Sequence, residues 1–260
     1  MNAAVENVDL YQRLEEQPRE FLKLSQEELF SLDPDQVEKV RLNLFKQRFD
    51  ELRPKLRGLN RLAEEVGISE VTSIDDLGRL AMPHTMFKSY SILDVQNRRF
   101  EKLTRWFQSL TTHDLSNVDV DNCNTIEEWL LRLEEQTALR PVTSSGTSGK
   151  ISLFPISHDE ETLFIDKNTY IVEPYRQESG INAKSGEYAF VCPWPSRYGR
   201  HNIPFIMRVL KTYCYGGDDS MFVTLGEGTI TADEMWLNGR IQRAKVSGED
   251  LDLTESDRET

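Results

Sequence analysis

The stretch Thr143-Ser144-Ser145-Gly146-Thr147-Ser148-Gly149-Lys150 is small, rich in hydroxyls and closed by a cation, a composition that core packing does not explain. Arg140-Pro141-Val142 leads into it with stiff, extended character. Ile151-Ser152-Leu153-Phe154-Pro155-Ile156 leaves it with alternating apolar residues, which is a strand pattern. The spacing therefore predicts a loop strung between two strands. Two glycines let the backbone turn its N–H groups inward, the hydroxyls can donate hydrogen bonds, and Lys150 adds positive charge, so the loop has the means to wrap a phosphate. The competing reading is a solvated Ser/Gly linker.

Composition narrows the class. In 260 residues, 38% hydrophobic and 29% charged is an ordinary globular mixture with enough apolar material for one large or two modest domains. A net charge of −13 disfavours nonspecific binding to nucleic acid or anionic membrane, while leaving room for a local basic pocket. Cys123, Cys192 and Cys214 are odd in number and lack CxxC spacing, against both a disulfide framework and a zinc site. The Asp/Asn-rich stretch 117–124 lacks the glycine and distal Glu of a calcium loop, so the residues alone give no metal site. Met1-Asn2-Ala3-Ala4-Val5-Glu6 has neither the basic nor the apolar region of a signal peptide, and no later run is long and apolar enough for membrane insertion. A cytoplasmic location is the expectation.

The front of the chain reads as helical throughout. Leu10 to about Leu32 gives two short helices interrupted near Pro18, with Ser25 and Glu28 as a capping box. Asp33-Pro34 starts a longer helix, with an acceptor at the N-cap and proline at the first helical position. Val37, Val40, Leu44 and Phe45 form its buried stripe, and Pro54 closes it or kinks it. Leu59 to Val66 is helical and ended by Gly67, and a short helix starts near Ser73. His84 and Lys88 are more simply read as loop residues than as ligand contacts. Phe100, Leu103, Trp106, Phe107 and Leu110 repeat at three- and four-residue intervals, as on a core-facing helix. Further helix starts follow at Thr125 with Glu128, Ser157 with Glu160 and Thr231 with Glu234. They predict helices toward Arg140, from Asp159 to about Tyr170, and to about Lys245.

Between the last two helices, Glu187 to Cys192 and Met221 to Leu225 are strand patterns, separated by a helix from Ile203 to Tyr213 and by Gly216-Gly217. The first strand ends in Pro193-Trp194-Pro195 and a donor-rich loop, Ser196 to His201; loops after such strands hold ligands in open α/β sheets. The expected division is a helical region 1–110, an α/β region 111–247 of the same large domain, and a disordered acidic tail 248–260.

A Walker A loop needs Gly-x-x-x-x-Gly-Lys-Ser/Thr running straight into a helix. Ser144 stands where its first glycine belongs and Ile151 where its magnesium-binding hydroxyl belongs, and the sequel is strand, so that loop is excluded. A Gly-x-Gly-x-x-Gly fingerprint is also missing.

Residues 143–150 do resemble the ATP-phosphate loop of adenylate-forming enzymes, most closely the branch of phenylacetate-CoA ligases and bioluminescence acyl-protein synthetases. Ile151 and Ser152 replace the Pro-Lys that usually ends the motif, and members of that branch often lack the second lysine too. The resemblance implies a fold class: α/β, with a helical N-terminal region followed by part of the family's N-terminal domain, a mixed sheet with flanking helices. It implies that Thr147, Ser148 and Lys150 hold the phosphates of ATP, with Mg2+, while Thr143, Ser144, Ser145, Gly146 and Gly149 complete and shape the loop. Trp194 and Tyr198 would line the pocket of a carboxylic-acid substrate, and His201 would meet its carboxylate. The family's later Tyr-Gly-x-Thr-Glu segment, ribose-binding Asp and C-terminal lysine have no counterpart in the 260 residues. The expected function is accordingly the N-terminal portion of an acyl-adenylate-forming ligase, completed by a complementary C-terminal chain. The alternative is a non-catalytic nucleotide- or acyl-binding partner with the same partial fold.

Overall fold

The computed structural model describes residues 10–146, 149–180, 190–192, 198–200, 222–226, 228–248, 250, 251, 253, 257, 258 and 260. The chain divides into two units, 1–83 and 84–260. The first is helical: α1 (10–16), a 3-10 turn Pro18–Lys23, α2 (Gln26–Ser31), α3 (Pro34–Leu52), α4 (Arg57–Val66) and α5 (Asp75–Leu80). Side-chain caps fix the starts of α2 and α3. Glu28 N donates to Ser25 Oγ and Ser25 N to Glu28 Oε2, closing the capping box, and Asp33 accepts from the N–H groups of Asp35 and Gln36. Gly67 ends α4 at φ 71°, a left-handed conformation that glycine reaches without strain. Phe49, Leu56, Leu59, Ala63, Ile68, Val71 and Leu80 make this unit's core.

The second unit holds α6 (Ile92–Gln96), α7 (Phe100–Phe107), α8 (Ile126–Gln136), α9 (His158–Ser179) and α10 (Ala232–Ser247), together with short strands β1 (Val142–Thr143), β2 (Leu153–Phe154), β3 (Phe190–Cys192), β4 (Tyr198–Gly199), β5 (Phe222–Thr224) and β6 (Thr229–Ile230). β1 pairs with β2 antiparallel, β3 with β5 parallel and β4 with β6 parallel. The described part is thus mostly helical with small strand pairs, α/β in that loose sense. Trp129, Phe107, Leu103, Leu130 and Leu133 lie at the centre of the unit's core, where Trp129 Nε1 donates to Thr104 Oγ1 at 2.9 Å. The aromatic repeat at 100–110 therefore faces the core, as its spacing predicts.

Some boundaries differ from the sequence expectation. α9 runs past Tyr170 to Ser179 with Pro174 inside it, because a proline removes one helical hydrogen bond without by itself ending the helix. The strand expected over 151–156 is confined to Leu153–Phe154. In the acidic end, Asp257 pairs with Arg240. The helix expected from Ile203 to Tyr213 lies outside the described residues, and among those described no helix is long and apolar enough to cross a membrane.

Candidate functional site

β1, the glycine loop and β2 form one hairpin whose pairing reaches beyond its named strands. A single register runs from Leu139 opposite Ser157, through Val142 opposite Phe154 and Thr143 opposite Leu153, to Ser144, whose N–H donates to Ser152 O at 3.1 Å. Ser152 N returns a bond to Ser144 Oγ at 2.8 Å and locks the mouth of the loop. One face of the hairpin packs Val142 and Ile156 against Phe164 and Ile165 of α9; Leu153 joins the main core.

The loop closes on itself and backs onto α10. Gly149 N donates to Gly146 O at 2.7 Å, so that N–H serves the turn. Gly146 (φ 69°) and Gly149 (φ 88°) occupy the left-handed region. A Cβ on Gly146 would stand 2.8 Å from Ile151 Cγ2 and 2.9 Å from Met235 O, and one on Gly239 of α10 would stand 2.7 Å from Gly146 O. Helix and loop therefore meet backbone to backbone.

Lys150 leaves this turn and reaches Tyr90. Its ammonium donates to the Tyr90 carbonyl and lies 4.0 Å from the Tyr90 ring centroid, a cation–π contact. Tyr90 is fixed in turn: its hydroxyl donates to Ile151 O at 2.8 Å, and its ring meets Trp106 edge-on. Desolvation holds the Lys150 amine below the usual lysine pKa and pushes the Tyr90 phenol up. Among the described residues no carboxylate pairs with Lys150, in a chain where acidic residues outnumber lysine and arginine 44 to 31.

Thr143 is fully buried and its hydroxyl finds no hydrogen-bond partner among the described residues. Leaving a buried hydroxyl unsatisfied costs about 1–3 kcal/mol. Thr143→Val, which keeps the shape and removes the hydroxyl, is therefore expected to raise stability by about 1 kcal/mol or more in denaturant unfolding. A loss of stability would show that the hydroxyl is satisfied in solution.

Behind the hairpin an ionic network ties the elements together. Thr143 N donates to Arg200 O at 2.7 Å, and the Arg200 side chain, 8% exposed, donates from Nε to Glu127 at 3.1 Å and from Nη1 to Glu134 at 2.5 Å. Arg140 lies 3.7 Å from Glu134 and 2.9 Å from Glu161. α8 and α10 cap each other: Glu127 accepts from Ala232 N at 2.8 Å, while Asp233 accepts from the N–H groups of Ile126 and Glu127 at 2.9 Å each. Burial nevertheless pushes the Asp233 carboxyl pKa up, outweighing those bonds.

Two clefts open along α10. One of about 210 Å³ is bordered by Gly149, Arg243, Arg240 and Trp236, and one of about 240 Å³ by Phe100, Asp233, Arg240 and Asp257. The hairpin thus brings Thr143, Ser144, Ser145, Gly146, Gly149 and Lys150 to one place. Thr147, Ser148, Trp194 and His201 lie outside the described residues, and of Tyr198 only its strand backbone is described. Sequence reasoning missed Tyr90 and Gly239. A glycine inside a helix already defined by the Thr231–Glu234 cap was the available signal for Gly239, since it marks a close backbone approach.

In kind, a cation with no acid partner among the described residues and the Ser144 and Ser145 hydroxyls suit the oxygens of a polyphosphate. A magnesium ion fits less well: among the described residues no three His, Cys, Asp or Glu side chains converge. Comparison with models of known families, with curated proteins and with solved structures finds no match to the chain.

Proposed function

We propose that the 143–150 hairpin loop binds the phosphates of ATP, and that the chain is the N-terminal portion of a carboxylate-activating, acyl-adenylate-forming ligase that works with a complementary C-terminal polypeptide. The observation that carries this reading is Lys150: a partly buried cation at the end of a glycine turn, answered by a carbonyl and a ring face and by no carboxylate among the described residues. A desolvated ammonium without an anion is costly to keep, and a bound phosphate removes that cost. Lys150 and the loop hydroxyls would align and neutralise the phosphates, and ATP would supply the α-phosphorus that a carboxylate attacks.

Calorimetry with ATP tests the first part. Lys150→Ala is expected to weaken ATP binding at least tenfold, about 1.4 kcal/mol, with the fold intact; equal affinity would reject the loop as the phosphate site. Because the Lys150 pKa is lowered, ATP affinity should begin to fall at a pH below that at which an ordinary lysine deprotonates. The sign for stability is opposite. Between the lowered folded value and about 10.4 the unfolded chain binds more protons, so the Lys150 contribution makes the fold more stable as pH rises.

Exchange of labelled pyrophosphate into ATP, across a panel of carboxylic acids and with and without the C-terminal polypeptide, tests the second part. The second reading is a nucleotide- or acyl-binding partner without catalysis. ATP binding with no exchange under either condition selects it.

A further inference from the structure

Along α10, Met235, Gly239 and Arg243 recur every four residues and so share one face of the helix. That face is the one the glycine loop touches. A Cβ added to Gly146 would meet Met235 O at 2.9 Å, and one added to Gly239 would meet Gly146 O at 2.7 Å. One turn further on, a Cβ added to Gly149 would lie 3.0, 3.3 and 3.1 Å from Cβ, Cγ and Cδ of Arg243. The arginine stem is therefore laid along Gly149, in the space a side chain at that position would take. The residue as a whole is nevertheless exposed, so its stem packs while its guanidinium stays in water. Among the described residues that guanidinium makes no hydrogen bond or ion pair, although Asp250 borders the same cleft of about 210 Å³. Lys150, next in the chain after Gly149, is a second cation with no carboxylate partner among the described residues.

We propose that Arg243 is a second phosphate-binding residue of this site, reaching the ligand from α10 while Lys150 reaches it from the loop, and that the two select a polyphosphate chain over a single phosphate. The inference rests on the reading of the loop as a phosphate site and adds to it a residue from outside the loop. A guanidinium presents paired N–H donors that match phosphate oxygens two at a time, whereas an ammonium acts as a point charge. A di- or triphosphate spreads its charge over several groups and can meet both cations at once; a lone phosphate carries less charge and spans less distance. The arrangement also gives glycine at 149 a second use beside its left-handed φ of 88°, since a larger residue there would push the Arg243 stem away from the loop.

Calorimetry on the full chain with ATP, AMP and inorganic tripolyphosphate tests this. The parent is expected to bind ATP and tripolyphosphate at least tenfold more tightly than AMP. Arg243→Gln keeps Cβ, Cγ and Cδ, the three atoms packed on Gly149, and loses only the guanidinium. It should bind ATP and tripolyphosphate at least tenfold more weakly, with an unchanged near-ultraviolet circular dichroism spectrum. Arg243→Lys returns a charge to the same stem and should recover part of that loss; affinity equal to that of Arg243→Gln overturns the electrostatic role. AMP bound as tightly as ATP overturns the selection for a polyphosphate, as does failure of tripolyphosphate to bind a parent that binds ATP. If Lys150→Ala weakens ATP binding and Arg243→Gln does not, the loop remains the phosphate site and Arg243 is surface charge only. If neither substitution changes ATP affinity, or the parent binds no ATP, the phosphate reading itself fails and this inference with it.

Discussion

Replacing Arg200 by methionine is expected to lower the free energy of unfolding by about 3 kcal/mol, seen as a lower denaturant midpoint at unchanged slope. Arg200 is 8% exposed and its guanidinium answers two carboxylates, those of Glu127 and Glu134. Methionine preserves most of the aliphatic stem, so packing is largely kept, while two half-buried negative charges lose their shared cation. Breaking a buried pair by removing one partner typically costs about 3–5 kcal/mol. The lower end applies here because Glu127 and Glu134 are 18% and 26% exposed and retain some hydration. The loss should not stay local, since Glu127 also caps the first N–H of α10 and Glu134 also neighbours Arg140. Adding Glu134→Gln to the Arg200→Met chain should therefore recover part of the loss, a non-additivity expected of residues in one network. A cost below about 1 kcal/mol, the range of exposed pairs, would mean that water screens the network and would sink the assignment.

How far the sequence anticipates this arrangement depends on the range of the interactions. Contacts that span three or four residues are legible: Ser25 with Glu28, Ser157 with Glu160 and Thr231 with Glu234 each close the capping box that their spacing predicts. Thr125 shows where such reading stops. Its hydroxyl accepts from Glu128 N as expected, but Glu128 reaches Asn124 N instead of completing the box, and the open N–H groups of Ile126 and Glu127 are met by Asp233 from more than a hundred residues away. The hairpin is legible because two strands flank a loop rich in glycine. The partner of Lys150 is not, since Tyr90 lies sixty positions upstream in a segment with no periodic signal. Arg200 stood out only as one of several donors in a loop; that it is spent on Glu127 and Glu134 is a consequence of how α8 and the hairpin pack.

Gly239→Ala offers the sharpest probe of the loop itself. In an exposed helix interior this change favours folding by about 1 kcal/mol, because glycine loses more backbone freedom than alanine. Gly78, inside α5 with nothing within 4 Å of an added Cβ, is expected to show that gain when changed to alanine. At Gly239 the same methyl would sit 2.7 Å from Gly146 O, a backbone atom that cannot swing aside. Gly146 is itself confined by its left-handed φ of 69° and by Ile151 and Met235 on its own Cβ side, so the loop and α10 must separate. Overpacking of this kind costs about 1–3 kcal/mol, which offsets or exceeds the helix gain. The displaced loop should also lose ligand affinity, since a shift of about 1 Å in positioning groups is enough to cost two orders of magnitude in function. The expected result is a chain no more stable than its parent that binds ATP at least tenfold more weakly. If Gly239→Ala stabilises the protein as much as Gly78→Ala does, the close approach of helix and loop is not maintained in solution. If it is destabilised yet binds ATP with parental affinity, the loop is held by α10 for packing alone, and the phosphate site lies elsewhere.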